Sequence, residues 1–332
     1  MAKYRVLVTD VAWPSVAPET EILAQVGAEL VMAPKDSEAE LVALAPQADA
    51  ILTNWAQVTA KVIAAAPKLQ MISRYGIGVD NIDTTEATQH GVIVTNVPAY
   101  CLDEVSEHAL AFLLALARKL TFYSAGVHAN QWEITPGKPI YRVSGKVLGI
   151  IGLGKIGRTV ARKAQALGLH VIANDPFVYA DEMASLGCKK VELEDLLRQS
   201  DFVSIHCPLL DTTRGLLSRE RLRMMKPSAY LVNTARGAII DLEALSTALS
   251  EKWIAGAGVD VFSPERLPAG HPLLSAPNLV ATPHVAFYSE ESLVSLQMQA
   301  AQNVAAVLSG QRPGPIINPE VLDLPRWAGL RA

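Results

Sequence analysis

Val147-Leu148-Gly149-Ile150-Ile151 runs directly into Gly152-Leu153-Gly154-Lys155-Ile156-Gly157, and this junction decides the fold. The apolar run reads as a buried strand, the glycines as a tight turn, and the residues from about Ile156 to Leu167 as a helix. Such a turn lets backbone N–H groups approach a pyrophosphate, and the helix start offers its positive end to the same anion. A second short strand, His170-Val171-Ile172-Ala173-Asn174, leads to Asp175, 18 positions beyond Gly157. An acid at that distance accepts hydrogen bonds from adenosine ribose hydroxyls. It would repel a 2′-phosphate, and no Arg or Lys follows in Pro176-Phe177-Val178 to hold one, so the pattern points to NAD rather than NADP. A glycine-rich turn alone says little. Strand, turn, helix and downstream acid together specify a dinucleotide.

Before this junction, short apolar runs alternate with helical stretches: Tyr4 to Thr9, Thr20 to Val26, Ala28 to Met32, Glu38 to Leu44, Ala50 to Thr53, Ala60 to Ala65, Leu69 to Ser73 and Val92 to Thr95. This alternation predicts a parallel sheet covered by helices, a flavodoxin-like domain without a glycine motif of its own. An apolar helix is expected from Asp103 to about Thr121, then a Gly-, Pro- and aromatic-rich arm from Gly126 to Arg142. After it, strands are expected at Val147, His170, Lys190, Phe202, Tyr230, Ala257 and Leu279, a doubly wound sheet. A last helix, Ser289 to about Leu308, is expected to return to the first domain. The expected fold class is therefore α/β with two Rossmann-like domains: a discontinuous flavodoxin-like substrate domain, 1–100 plus 290–332, and a nucleotide domain, 101–289.

With 332 residues, half of them hydrophobic, the chain can bury two cores. Its net charge of −4, from 29 basic and 33 acidic residues without long single-sign runs, argues against nucleic acid as a partner. The three cysteines, Cys101, Cys188 and Cys207, show no CxxC and no metal-ligand spacing, which suits a reducing compartment and a cytoplasmic location. Met1 to Arg5 leads straight into a strand, unlike a signal peptide. The longest apolar run, Ala109 to Ala117, is shorter than the roughly 18 residues of a membrane span. Its apolarity and the irregular arm suggest a symmetric homodimer built from that helix and arm.

Ligands of doubly wound sheets bind beyond the carboxyl ends of the strands. Three polar groups follow apolar runs there: Arg236 in Asn233-Thr234-Ala235-Arg236-Gly237, Glu265 in Asp260-Val261-Phe262-Ser263-Pro264-Glu265, and His284 in Thr282-Pro283-His284. A lone histidine is more often a surface or satisfied core residue. Taken together, these segments resemble the D-isomer-specific 2-hydroxyacid dehydrogenase family over essentially the whole chain. The resemblance implies that Arg236, Glu265 and His284 are the catalytic trio. Elementary chemistry agrees. Hydride transfer to a 2-oxo carbon needs a proton for the forming alkoxide, and imidazole titrates nearest neutrality. A carboxylate on its other nitrogen fixes the tautomer and favours the imidazolium. A guanidinium fork suits the substrate carboxylate.

The resemblance further implies cofactor contacts from Gly152, Gly154, Lys155, Ile156, Gly157 and Asp175, from Cys207, Pro208 and Thr213, from Thr234 and Ala235, and from Asp260 near the nicotinamide amide. Arg74-Tyr75-Gly76-Ile77-Gly78 is similar to the family's substrate loop, where backbone N–H groups would cradle a carboxylate. Tyr100 and Phe287 are candidate pocket walls. Relatives specific for 3-phosphoglycerate commonly add a cation after the third strand, where this chain reads Thr53-Asn54-Trp55-Ala56-Gln57. That departure, with a chain ending at 332, weighs against phosphoglycerate and serine feedback, although Arg74 remains as a phosphate partner. Glu265 argues against formate chemistry, since formate-oxidising relatives lack the Glu–His pair. His284 to Ser292 is also similar to the C-terminal-binding corepressors, NADH-responsive scaffolds that keep the same trio.

Overall fold

The computed structural model describes residues 2–330, so the expected domain ends Met1, Arg331 and Ala332 lie outside the described residues. The chain divides into two compact units, Met1–Tyr100 with Ser289–Ala332, and Cys101–Tyr288.

The first unit winds β1 (Tyr4–Val8), α1 (Ala17–Ala24), β2 (Ala28–Met32), α2 (Glu38–Leu44), β3 (Ala50–Thr53), α3 (Ala60–Ala64), β4 (Met71–Arg74), α4 (Thr84–Gln89) and β5 (Ile93–Thr95) into a parallel sheet of order β2-β1-β3-β4-β5. Every residue of β3, β4 and β5 is buried, which is why these segments read as continuous apolar runs rather than alternating ones.

The second unit opens with two helices, α5 (Leu102–Ala117) and α6 (Leu120–His128). Its sheet then starts with β6 (Val147–Ile151), α7 (Lys155–Ala166), β7 (His170–Asn174), α8 (Ala180–Ser185), β8 (Cys188–Lys190), α9 (Leu193–Gln199) and β9 (Phe202–Ile205). It finishes with α10 (Arg219–Leu222), β10 (Tyr230–Asn233), α11 (Leu242–Ser250), β11 (Gly256–Val259) and β12 (Leu279–Ala281). The order is β12-β11-β10-β9-β6-β7-β8, parallel throughout, with the chain reversing direction across the sheet between β6 and β9. This is the doubly wound order, and its switch point lies where a dinucleotide binds. Small residues on β11 admit α5: a Cβ on Gly258 would stand 2.6 Å from Cγ of Phe112.

The chain then enters α12 (Glu290–Leu308), which belongs to the first unit. Ser289 and Ser292 cap its start reciprocally, each side-chain oxygen accepting the other's N–H at 2.9 Å. The helix rests on the first sheet, with the Ser73 hydroxyl donating to the Ala300 carbonyl at 3.1 Å.

One expectation needs correction. The apolar helix expected from Asp103 to Thr121 ends at Ala117, because Lys119 takes a left-handed φ of 50° and turns the next helix by 63°. The apolar pattern continues through this break, so periodicity alone read across it. The arm's first residues, up to His128, are helical as well. Among the described residues no single helix is long and apolar enough to cross a membrane. Of the buried apolar side chains of α5, Ala109, Leu110, Phe112, Leu113 and Ala117 pack into the core of its own unit. The exposed apolar surface lies instead on α6 and the arm, with Leu120 at 64 %, Trp132 at 73 % and Ile134 at 72 % accessibility.

Candidate active site

The loops after β6, β7, β9, β10, β11 and β12 carry the predicted nucleotide and catalytic segments, all at carboxyl ends of strands in the second unit. Gly152 has φ +91°, and a Cβ there would stand 2.5 Å from the Cys207 nitrogen, so glycine lets the β6 and β9 loops touch. A Cβ on Gly157 would collide with the Gly152 carbonyl, which explains the third glycine. At Gly154, the N-cap of α7, a Cβ would meet nothing within 4 Å, leaving the helix start open to an incoming anion. Lys155 is exposed beside it, and Ile156 is half-buried against the apolar core.

Asp175 accepts the Leu153 N–H at 2.8 Å and the Phe177 N–H at 2.9 Å. The acid is thus pinned to the phosphate loop while keeping further acceptor positions on both oxygens. Cys207 lies where its backbone abuts Gly152, and burial pushes its thiol up to about 11, so it stays protonated and chemically quiet. Pro208 is exposed on the same loop. Thr213 was expected to contact cofactor. Its hydroxyl closes its own loop, donating to the Pro208 carbonyl and accepting the Leu210 N–H, both at 2.7 Å. The neighbouring His206 ring, bonded to the Ser204 hydroxyl at 2.8 Å, is pushed down to about 4 by burial. It stays neutral at neutral pH.

At the end of β10, Thr234 is buried, and among the described residues its hydroxyl oxygen has no hydrogen-bond partner. Buried hydroxyls rarely go unsatisfied, so this group marks a place for a ligand. Together with the open helix start and the placed Asp175, it fits a nicotinamide dinucleotide. Half-buried Ala235 follows, and its N–H is held by the Asn233 carboxamide at 3.0 Å, which also donates to the Arg236 carbonyl at 2.9 Å. Asn233 therefore shapes the turn that presents Arg236. The Arg236 guanidinium donates to the Ala235 carbonyl at 2.8 Å. Gly237 can only be glycine, since a Cβ would overlap the backbone of Phe262 and separate the β10 and β11 loops.

Beyond β11, Glu265 accepts a hydrogen bond from Nδ1 of His284. Glu265 is half-exposed, so the pair adds at most about 1 kcal/mol to stability; its effect is to orient the ring. His284 occupies the left-handed region, with φ 55°, a conformation costing roughly 1–2 kcal/mol for an L-residue. Asp260 holds it there. Its main-chain carbonyl accepts the His284 N–H at 2.8 Å, and its fully buried carboxylate accepts the N–H groups of Val285 and Ala286 at 2.9 Å and the Thr282 hydroxyl at 2.5 Å. Asp260 was expected at the nicotinamide amide; its carboxylate is engaged in supporting the histidine loop. Phe287 sets its ring edge-on to the His284 imidazole, with centroids 6.0 Å apart.

The predicted substrate segment lies in the first unit, at the end of β4. Arg74 is nearly buried and donates to the Tyr75 carbonyl. Tyr75, within the expected substrate loop, has a fully buried side chain, with its hydroxyl donating to Glu19 at 3.0 Å and its ring edge against Trp13. It anchors the loop from below. Gly76, at φ 139°, spends its N–H on the Arg74 carbonyl at 3.0 Å, so only Ile77 and Gly78, both half-buried, remain of the expected N–H cradle. Asn96 donates to the Ile77 carbonyl at 2.7 Å and steadies this turn. Tyr100 is half-buried at the end of the unit. Asp10, absent from the sequence expectations, collects the N–H groups of Asn54, Trp55 and Ala56 and so fixes the loop after β3.

Residues 110–286 match the family model described as D-isomer specific 2-hydroxyacid dehydrogenase, NAD binding domain. The chain belongs to the D-isomer-specific 2-hydroxyacid dehydrogenase family. A glyoxylate reductase of Korarchaeum cryptofilum is 41 % identical over 270 residues, covering 80 % of this chain and 81 % of that protein. A D-3-phosphoglycerate dehydrogenase of Synechocystis is 38 % identical over 86 % of this chain, but the match spans only 52 % of that longer relative. Among solved structures, the D-lactate dehydrogenase of Aquifex aeolicus, complexed with NAD and lactic acid, superposes with a TM-score of 0.85 at 26 % identity, covering 96 % of this chain and 97 % of that one. The protein is accordingly an NAD-dependent 2-hydroxyacid dehydrogenase that acts on small 2-hydroxy and 2-oxo acids.

Proposed function

We propose that this dehydrogenase reduces a short, unphosphorylated 2-oxo acid of the glyoxylate and hydroxypyruvate class, with Arg236, Glu265 and His284 as its catalytic groups. The observation that carries the assignment of groups is the Glu265–His284 hydrogen bond at the carboxyl end of the nucleotide-binding sheet. When bound, the reduced nicotinamide supplies the hydride. His284 would donate the proton on Nε2 to the carbonyl oxygen, while its Nδ1–H stays hydrogen-bonded to the Glu265 carboxylate. Arg236 binds the substrate carboxylate and polarises the carbonyl; its planar fork matches both. Gly152, Gly154, Lys155, Gly157, Asp175, Thr234 and Ala235 would hold the dinucleotide, and the Ile77–Gly78 backbone would bind an acid group.

The substrate class is supported by the glyoxylate reductase relatives and by the β3 loop, Asn54-Trp55-Ala56-Gln57, which offers no cation for a phosphate. We further propose the bipartite assignment of a substrate domain, 1–100 plus 290–332, and a nucleotide domain, 101–289. A homodimer through the exposed apolar residues of α6 and the arm, and a cytoplasmic location, complete the proposal.

The test is a panel of glyoxylate, hydroxypyruvate, 2-oxoisocaproate, phenylpyruvate and 3-phosphohydroxypyruvate with NADH, read at the reduced nicotinamide absorbance. The highest kcat/KM on glyoxylate or hydroxypyruvate is expected. A dominant rate on the phosphorylated acid would replace this reading by phosphoglycerate chemistry, and inertness throughout by an NADH-sensing scaffold.

A further inference from the structure

His108 stands on α5, away from the segments that carry the catalytic groups, yet its Nε2 lies 3.0 Å from the Thr282 hydroxyl and 3.9 Å from Oδ1 of Asp260. Its ring is set edge-on against Phe112, with centroids 4.6 Å apart, and Phe112 fits where β11 has glycine at 258. The imidazole is thereby located from the helix side. We infer that His108 is a positioning residue for His284, acting through Thr282 and Asp260.

The proton inventory fixes the direction of the chain. The Asp260 carboxylate accepts at both oxygens, from the Val285 and Ala286 N–H groups and the Thr282 hydroxyl. The single hydroxyl proton of Thr282 is therefore spent on Asp260, and Thr282 can only accept from His108. Nε2 of His108 must carry a proton, in the sequence Nε2–H to Oγ1, then O–H to Oδ1. The carboxylate at the end of this sequence has 0 % exposure, and it holds the backbone on the carboxyl side of a histidine kept at positive φ. Without its polarised hydroxyl donor, the 282–286 loop has one hydrogen bond fewer with which to hold a strained residue. The consequence is displacement of the His284 ring, not loss of the nucleotide site, because Asp175 is held by the Leu153 and Phe177 N–H groups and not by this network.

This inference rests on the role of His284 proposed above, and its test keeps the two apart. Ring-nitrogen NMR of the wild-type enzyme, without substrate, should show Nε2 of His108 as a protonated, N–H-type nitrogen; an unprotonated Nε2 would overturn the inference whatever the enzyme turns over. In kinetics, His108→Leu should lower kcat about 10- to 100-fold, the scale of a displaced catalytic group, with the Kd for NADH changed less than about 2-fold. His108→Gln, which keeps a donor, should recover most of the rate. Thr282→Val, which removes the bridge and conserves volume, should reproduce the Leu phenotype and serves where His108→Leu does not fold. Wild-type kcat in both His108→Leu and Thr282→Val, or a Gln variant as slow as the Leu variant, would contradict the inference.

Discussion

Oε1 of Glu265 accepts the hydrogen bond of His284 Nδ1, joining the loop after β11 to the loop after β12. In the proposed mechanism this contact holds Nδ1, which assigns the proton exchange to Nε2. Asp260 fixes the histidine backbone, Asn233 shapes the arginine turn, and Gly237 keeps the β10 and β11 loops together.

Asp175→Ala should weaken the preference for NADH. The carboxylate is already bonded to Leu153 and Phe177, so its place is fixed, and its charge opposes a 2′-phosphate. The ratio of kcat/KM for NADH over NADPH should fall at least about 10-fold, equivalent to roughly 1.4 kcal/mol, one charge-assisted hydrogen bond. An unchanged ratio would show that ribose recognition lies elsewhere.

Gly237→Ala places a methyl group into the Phe262 backbone. Overpacking of this kind costs about 1–3 kcal/mol, and the strain falls on the turn that carries Arg236. A lower Tm and a reduced kcat/KM for the 2-oxo acid are expected together. A variant with wild-type melting and kinetics would mean that the two loops do not depend on this contact.

The nucleotide unit should lose stability in mild acid through His206. Its folded value of about 4 lies below the ordinary 6.5, because burial opposes the imidazolium. Between those values the unfolded chain binds the extra proton, so the contribution is complete above pH 6.5 and is lost as pH falls toward 4. Thermal melts of wild type and His206→Gln across that window should converge toward acid. Parallel curves would remove His206 from the acid response.

Much of this was legible in the chain. Buried parallel strands are apolar from end to end, so the βαβ rhythm from Tyr4 to Leu279 announced both sheets, and Gly152 to Gly157 with Asp175 marked the switch point. Other features carry no local signal. The break at Lys119 rests on one backbone torsion inside a continuous apolar pattern. Tyr75 sits in the substrate-loop motif, and only the tertiary contact with Glu19 shows that its side chain points inward. The same holds for Asp260, whose engagement under the histidine loop depends on residues 22 to 26 positions away. Asn233 lay within the quoted arginine motif and could have been found by asking what holds its turn. His108, by contrast, is one of five polar residues in the first half of α5, and nothing local singles it out.

The most direct test of the whole account is the turnover of His284→Ala with NADH and the preferred 2-oxo acid, measured beside a fluorescence titration of NADH binding. A kcat reduced roughly 10²- to 10⁴-fold with nearly intact NADH binding is the predicted result. A kcat equal to wild type would contradict the assignment of the catalytic proton to position 284.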